Sequence, residues 1–80
     1  MSQSKFTVWG QPRCIYCDLV KTLLKQKGLS FEYLEVGNNV STTDFMTKVP
    51  GTRSVPQVFV DDIHIGGYKE LVEYLSSVKI

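Results

Sequence analysis

The two cysteines of this chain, Cys14 and Cys17, stand in a single Cys14-Ile15-Tyr16-Cys17 motif. Thiols at this spacing can close a structural bridge, join a metal site, or exchange with other disulfides. A bridge around two intervening residues would constrain the unfolded chain little, because that effect grows with loop length. Structural zinc takes four ligands, and the single histidine, His64, brings the available set only to three. Two packed core cysteines are a poorer account, since Cys14 follows Pro12-Arg13 in a loop. Exchange requires a thiolate, and the position of Cys14 favours one. The first turn of a helix carries unpaired N–H groups and the positive end of the dipole, and Arg13 adds a neighbouring cation. Thiols so placed titrate at roughly 3.5–7.5 rather than ~8.5. Cys14 is therefore expected to be ionised at neutral pH and to act as the nucleophile. Cys17, one turn further and deeper, is expected to be the resolving thiol.

This chemistry needs a strand that ends where a helix begins. Lys5-Phe6-Thr7-Val8-Trp9 is β-branched and aromatic and reads as a strand, followed by a Gly10–Arg13 loop. From Cys14 the period becomes helical, with Ile15, Leu19, Val20, Leu23 and Leu24 assigned to one face. Asp18 early and Lys21, Lys25 and Lys27 late suit the helix dipole, and Gly28 is the expected stop. Phe31–Val36 is a second strand and Gly37-Asn38-Asn39 a turn. Ser41, with Asp44 three residues on, marks the N-cap of a short helix through Phe45, Met46 and Val49 that ends by Pro50-Gly51. Pro56 stands at the first residue of a strand Gln57–Val60, where proline is tolerated. Asp61-Asp62 is a tight turn to a returning strand Ile63–Ile65. After Gly66-Gly67, the residues Tyr68, Leu71, Val72, Leu75 and Val78 repeat at helical spacing. The order β-α-β-α-β-β-α predicts a four-stranded mixed sheet with helices on both faces. Its first β-α-β unit is parallel and right-handed, and its last hairpin is antiparallel.

Composition limits the alternatives. Eighty residues support one core, so residues 1–80 are expected to be one domain. A content of 42% hydrophobic and 21% charged residues fits a folded domain rather than a disordered tail. The net charge of +1 argues against a dedicated nucleic-acid binder. Residues 1–30 hold five basic side chains against Asp18 alone, while residues 31–80 hold four against seven acidic ones. This asymmetry suits a solvated helix face better than an anionic partner. No apolar run approaches the ~18 residues of a membrane helix. The polar start Met1-Ser2-Gln3-Ser4-Lys5 does not read as a leader, so a cytoplasmic, reducing setting is expected.

Cys14-Ile15-Tyr16-Cys17, then Ser54-Val55-Pro56, then Gly66-Gly67-Tyr68, together resemble the glutaredoxin family of the thioredoxin fold, over nearly the whole chain. The resemblance implies a thioredoxin-like α/β architecture and a cis proline at Pro56 beside the active cysteine. It implies that the backbone of Val55 pairs with the cysteinyl part of glutathione, with Ser54 beside it. It further implies that the helix opened by Gly67, Tyr68 and Lys69 takes the γ-glutamyl carboxylate and that Glu70 meets the γ-glutamyl ammonium. Tyr16 would form an aromatic wall of the glutathione site, and Arg13 would supply charge nearby. Arg53 either faces the glycine carboxylate or is a solvated loop cation. Lys69 departs from the small or acidic residue common in the family, and Gln11 replaces a lysine. Ile15 replaces a proline whose presence goes with poor cluster assembly. His64 and Trp9 are given no catalytic role: His64 reads as solvent-facing or turn-bonded, and Trp9, like Phe45 and Met46, as packing.

By resemblance the expected activity is glutathione-dependent thiol–disulfide exchange on protein disulfides and glutathione mixed disulfides. Glutathione is the co-substrate, with no metal and no tightly bound cofactor. Proteins of this class have potentials of about −200 to −230 mV. Ribonucleotide reductase is the client the resemblance offers, and a monomer is expected. Two alternatives stay open: a redoxin served by thioredoxin reductase, and a carrier of a glutathione-assisted [2Fe–2S] cluster bridging a dimer.

Overall fold

Alternating burial defines the sheet. In β1 (Phe6–Gly10), Phe6 and Val8 face one side and Trp9 the other. In β3 (Gln57–Val60), Val58 and Val60 join the first set and Phe59 the second. These are the two central strands, so each must supply apolar side chains to both faces. The computed structural model of the protein describes residues 5–38, 40–51 and 54–77. Its elements run β1, α1 (Ile15–Gln26), β2 (Phe31–Glu35), α2 (Thr42–Lys48), β3, β4 (Ile63–Gly66) and α3 (Tyr68–Ser77). The sheet order is β2-β1-β3-β4. β1 and β2 are parallel, while the β1–β3 and β3–β4 pairs are antiparallel. This is the four-stranded mixed sheet of a thioredoxin-like fold.

Helices cover both faces. Val20 and Leu24 of α1 and Leu71 and Leu75 of α3 pack with Phe6, Val8, Val58 and Val60. Phe45 of α2 packs with Trp9, Val36, Val49 and Phe59 on the other side. Full burial of each such leucine or phenylalanine stabilises the fold by about 1.5–3 kcal/mol. Among the described residues, no helix is long and apolar enough to cross a membrane.

Local signals hold where they depend on close neighbours. The Ser41 hydroxyl accepts the Asp44 N–H at 3.0 Å and caps α2. Asp61 and Asp62 both have positive φ, 51° and 69°, which is the backbone of a two-residue hairpin turn matched to the strand twist. Boundaries shift by a residue. Lys5 lies outside β1 and Gly10 inside it, Val36 forms only an isolated bridge to Val40, and Gly66 extends β4.

Several facings differ from expectation. Ile15 is 74% exposed and Leu19 39%, because the buried stripe of α1 is Cys17, Val20 and Leu24 and those two residues lie on the opposite side. Met46 is exposed, since it lies about 100° around α2 from Phe45, the residue that helix buries. Val72 is exposed as well, being rotated by about 100° from Leu71 on α3. Val78 lies outside the described residues.

Candidate active site

Cys14 is the N-cap of α1. Its backbone is extended (φ −111°, ψ 107°), its carbonyl accepts the Asp18 N–H at 3.1 Å, and its sulfur accepts the Cys17 N–H at 3.0 Å. A sulfur thus occupies the acceptor position that a serine or aspartate side chain normally fills. Arg13, just before it, takes a left-handed conformation with φ 59°, so the chain turns sharply into the helix. Cys14 is partly exposed, whereas Cys17 is fully buried. The two are joined as a disulfide with Cα atoms 5.1 Å apart. An entering thiol can therefore reach Cys14 and not Cys17.

Two further segments converge on this helix end. The Val55–Pro56 peptide is cis, and the Val55 carbonyl oxygen lies 4.0 Å from the Cys14 sulfur. The start of α3 approaches from the other side. At Gly67 a Cβ would stand 3.2 Å from the Pro56 carbonyl oxygen, so the close approach of α3 to the proline loop favours glycine. Gly66 has φ 123°, and a side chain there would strike Glu70. Glu70 reaches back to accept the Gly67 N–H at 2.9 Å, half of a capping box. Its own N–H and that of Gly67 hold its carboxyl below the ordinary glutamate value against some desolvation, with Lys69 and His64 adding positive charge.

Between these segments lies a cleft of about 400 Å³ lined by Tyr16, Ser54, Val55, Pro56, Gln57, Gly67, Tyr68, Lys69 and Glu70. The Tyr16 and Tyr68 rings, from α1 and α3, stand 5.8 Å apart at 41°. Eight of the residues named from the sequence are therefore brought together here. Arg13 is exposed and does not line the cleft, and Arg53 lies outside the described residues. Gln57 lines the cleft without having been singled out. In the sequence it looks like the first residue of a strand, and only its position after Pro56 hints at the site. His64 is exposed, but its Nε2 lies 2.6 Å from the Gln57 Oε1. Trp9 is buried against Phe45.

Residues 4–65 match the family model for glutaredoxin. The chain is 39% identical over 64 residues to glutaredoxin 3 of Escherichia coli strain K12, covering 80% of this chain and 77% of that protein. Among solved structures, the glutaredoxin of Brucella melitensis superposes with a TM-score of 0.78 at 26% identity, over 99% of this chain and 86% of that one. A buckwheat glutaredoxin–glutathione complex superposes with a TM-score of 0.75 at 27% identity, over 92% and 70%. Those matches, together with a cysteine pair joined at the head of α1, place the chain in the glutaredoxin family of thiol–disulfide oxidoreductases.

Proposed function

We propose that the protein uses glutathione to reduce protein disulfides and glutathione mixed disulfides, with Cys14 attacking and Cys17 resolving. The observation that carries this reading is the Cys14 sulfur at the N-cap of α1, partly exposed, receiving a backbone N–H and facing the Val55 carbonyl. In the reduced protein the same N–H would stabilise a thiolate. That thiolate attacks one sulfur of a substrate disulfide, forming a mixed disulfide and releasing the first substrate thiolate, which takes a proton from water. Cys17, giving its proton to solvent, attacks the Cys14 sulfur. The second substrate thiolate leaves and the Cys14–Cys17 disulfide forms.

Reduction runs the other way. A glutathione thiolate attacks the exposed Cys14 sulfur, and Cys17 leaves and regains a proton. A second glutathione attacks the glutathione sulfur of the mixed disulfide, giving glutathione disulfide and the Cys14 thiolate. The cleft supports glutathione as the donor. Its Val55 backbone, beside the Cys14 sulfur, can pair with a peptide backbone, the first turn of α3 offers N–H groups to a carboxylate, and Glu70 offers a counter-charge to an ammonium. The family precedent is the buckwheat complex with glutathione. In this reading residues 1–80 act as one monomeric domain in the cytoplasm, and ribonucleotide reductase is a candidate client.

Two variants test the roles. Cys14→Ser should abolish turnover of a peptide–glutathione mixed disulfide, whereas Cys17→Ser should keep much of it, because that substrate needs one thiol. Equal loss in both would refute the assignment. Faster reduction of the Cys14–Cys17 disulfide by thioredoxin reductase than by glutathione would refute the donor.

A further inference from the structure

Gln57 is the buried polar side chain among the described residues, at 7% exposure, and it heads β3 directly after the cis proline. Its Nε2 donates to the Ser54 carbonyl at 2.9 Å. A carbonyl oxygen can only accept, so this contact fixes the amide with nitrogen toward Ser54 and oxygen toward β4. The Oε1 lies 2.6 Å from His64 Nε2. An amide oxygen also only accepts, so His64 must carry a proton on Nε2 and donate it. The imidazole is held for this by Phe59, its partner across the β3–β4 ladder, with ring centroids 4.9 Å apart at 32°. Two hydrogen bonds therefore run from edge strand β4, through a buried amide, to the backbone two residues before Pro56.

We propose that His64 and Gln57 are positioning residues for disulfide exchange. They brace the Ser54–Val55–Pro56 edge at its working distance from the Cys14 sulfur. This rests on the reading that the edge receives the substrate. Ser54 to Pro56 lie outside every strand, so the Gln57 amide gives the edge a support that the sheet ladder does not. Removing the His64 donor leaves a buried amide oxygen unpaired, which the chain would relieve by turning the amide and releasing Ser54. Neither residue touches sulfur, and both act through the placing of Val55.

His64→Phe keeps a ring over Phe59 and removes the donor. His64→Gln removes the ring and returns an amide N–H at nearly the position of Nε2. Each would be measured in two assays: turnover of a peptide–glutathione mixed disulfide with glutathione as reductant, and single-turnover attack of the reduced protein on a plain peptide disulfide with no glutathione present. His64→Phe should raise KM and lower the single-turnover rate constant by about five-fold, the factor one hydrogen bond is worth, with kcat changed by less than about two-fold. His64→Gln should recover most of both losses. Unchanged kinetics in His64→Phe, or equal impairment in the two variants, would overturn the proposal. A wild-type protein that attacks the plain disulfide but fails to turn over with glutathione would sink the glutathione reading alone, and the second assay would still judge the brace. Imidazole ¹⁵N shifts of the wild-type protein decide the matter without any variant: an unprotonated His64 Nε2 would overturn it.

Discussion

Gly10 ends β1 where the chain enters the Cys14 turn, and a methyl group on it would have to displace the Tyr33 ring. A Cβ built there would collide with the Tyr33 hydroxyl and its ring. To make room the ring would have to swing away from Lys21, whose Nζ sits 4.1 Å from the ring centroid; burial, with Glu35 and Asp18 nearby, raises the Tyr33 phenol above the ordinary value. Gly10→Ala should therefore cost about 1–3 kcal/mol, the usual range for overpacking. For a domain of this size each kcal/mol lowers Tm by about 4–8 °C. If the tyrosine ring is the obstacle, Gly10→Ala in a Tyr33→Val background should cost much less than in the wild type, a coupling that a double-mutant cycle reads directly. Additive costs would place the strain elsewhere. Nothing local in the sequence announces this contact. Gly10 reads as a loop residue, and Tyr33 meets it only because β2 pairs in parallel with β1. Gln57 is hidden for the same reason: its partners, Ser54 and His64, are assigned by the proline loop and the β3–β4 register. The cysteine pair is legible because its chemistry depends on a spacing of three and on a helix start, both of which are local.

At the scale of elements, caps and turns are legible and facings are not. Ser41 is satisfied by the Asp44 N–H three residues on. The left-handed backbone of Asp61 and Asp62 follows from residue type, although Asp61 also exchanges two hydrogen bonds with the Lys5 backbone just before β1. The face that α1 buries depends on what the sheet offers. Ile15 and Leu19 share an apolar stripe by spacing, yet the helix turns Cys17, Val20 and Leu24 inward and leaves that stripe exposed at the end nearest the cysteines. The start of α3 shows a cap built from an acidic residue, and its charge makes it sensitive to acid. Glu70 is held below its ordinary value by its own N–H and the Gly67 N–H. A carboxyl depressed in the folded state stabilises the fold above its unfolded value of about 4.3, and that contribution is lost as the pH falls through the depressed folded value. Glu70→Gln keeps an oxygen for the Gly67 N–H and has no proton to gain. Its Tm should therefore fall less steeply than that of the wild type between about pH 5 and pH 2. Superimposable curves of Tm against pH would show that the Glu70 cap contributes nothing through its charge.

The molecule as a whole has two apolar layers and one sheet between them. Phe6, Val8, Val58 and Val60 serve the layer under α1 and α3, while Trp9 and Phe59, on the same two strands, serve the layer under α2. The cleft depends on both, since Tyr68 packs against the first layer and Val55 against the second. A sheet whose central strands alternate between layers cannot lose one layer and keep the other, so the site and the fold should fail together. The single tryptophan, Trp9, reports on the α2 side, and Leu71, fully buried under α3, lies on the other. Leu71→Ala should cost about 2–5 kcal/mol as a cavity, a fall in Tm of about 8–40 °C for a domain of this length. The midpoint followed by Trp9 fluorescence should drop by as much as the midpoint followed by far-ultraviolet circular dichroism, although Trp9 and Leu71 belong to different clusters. Coincidence of the two is the mark of an all-or-none transition. A Trp9 signal that survived to higher temperature than the backbone signal would mean that the α2 layer holds without its neighbour, and that the proline edge can outlast the α3 wall of the cleft.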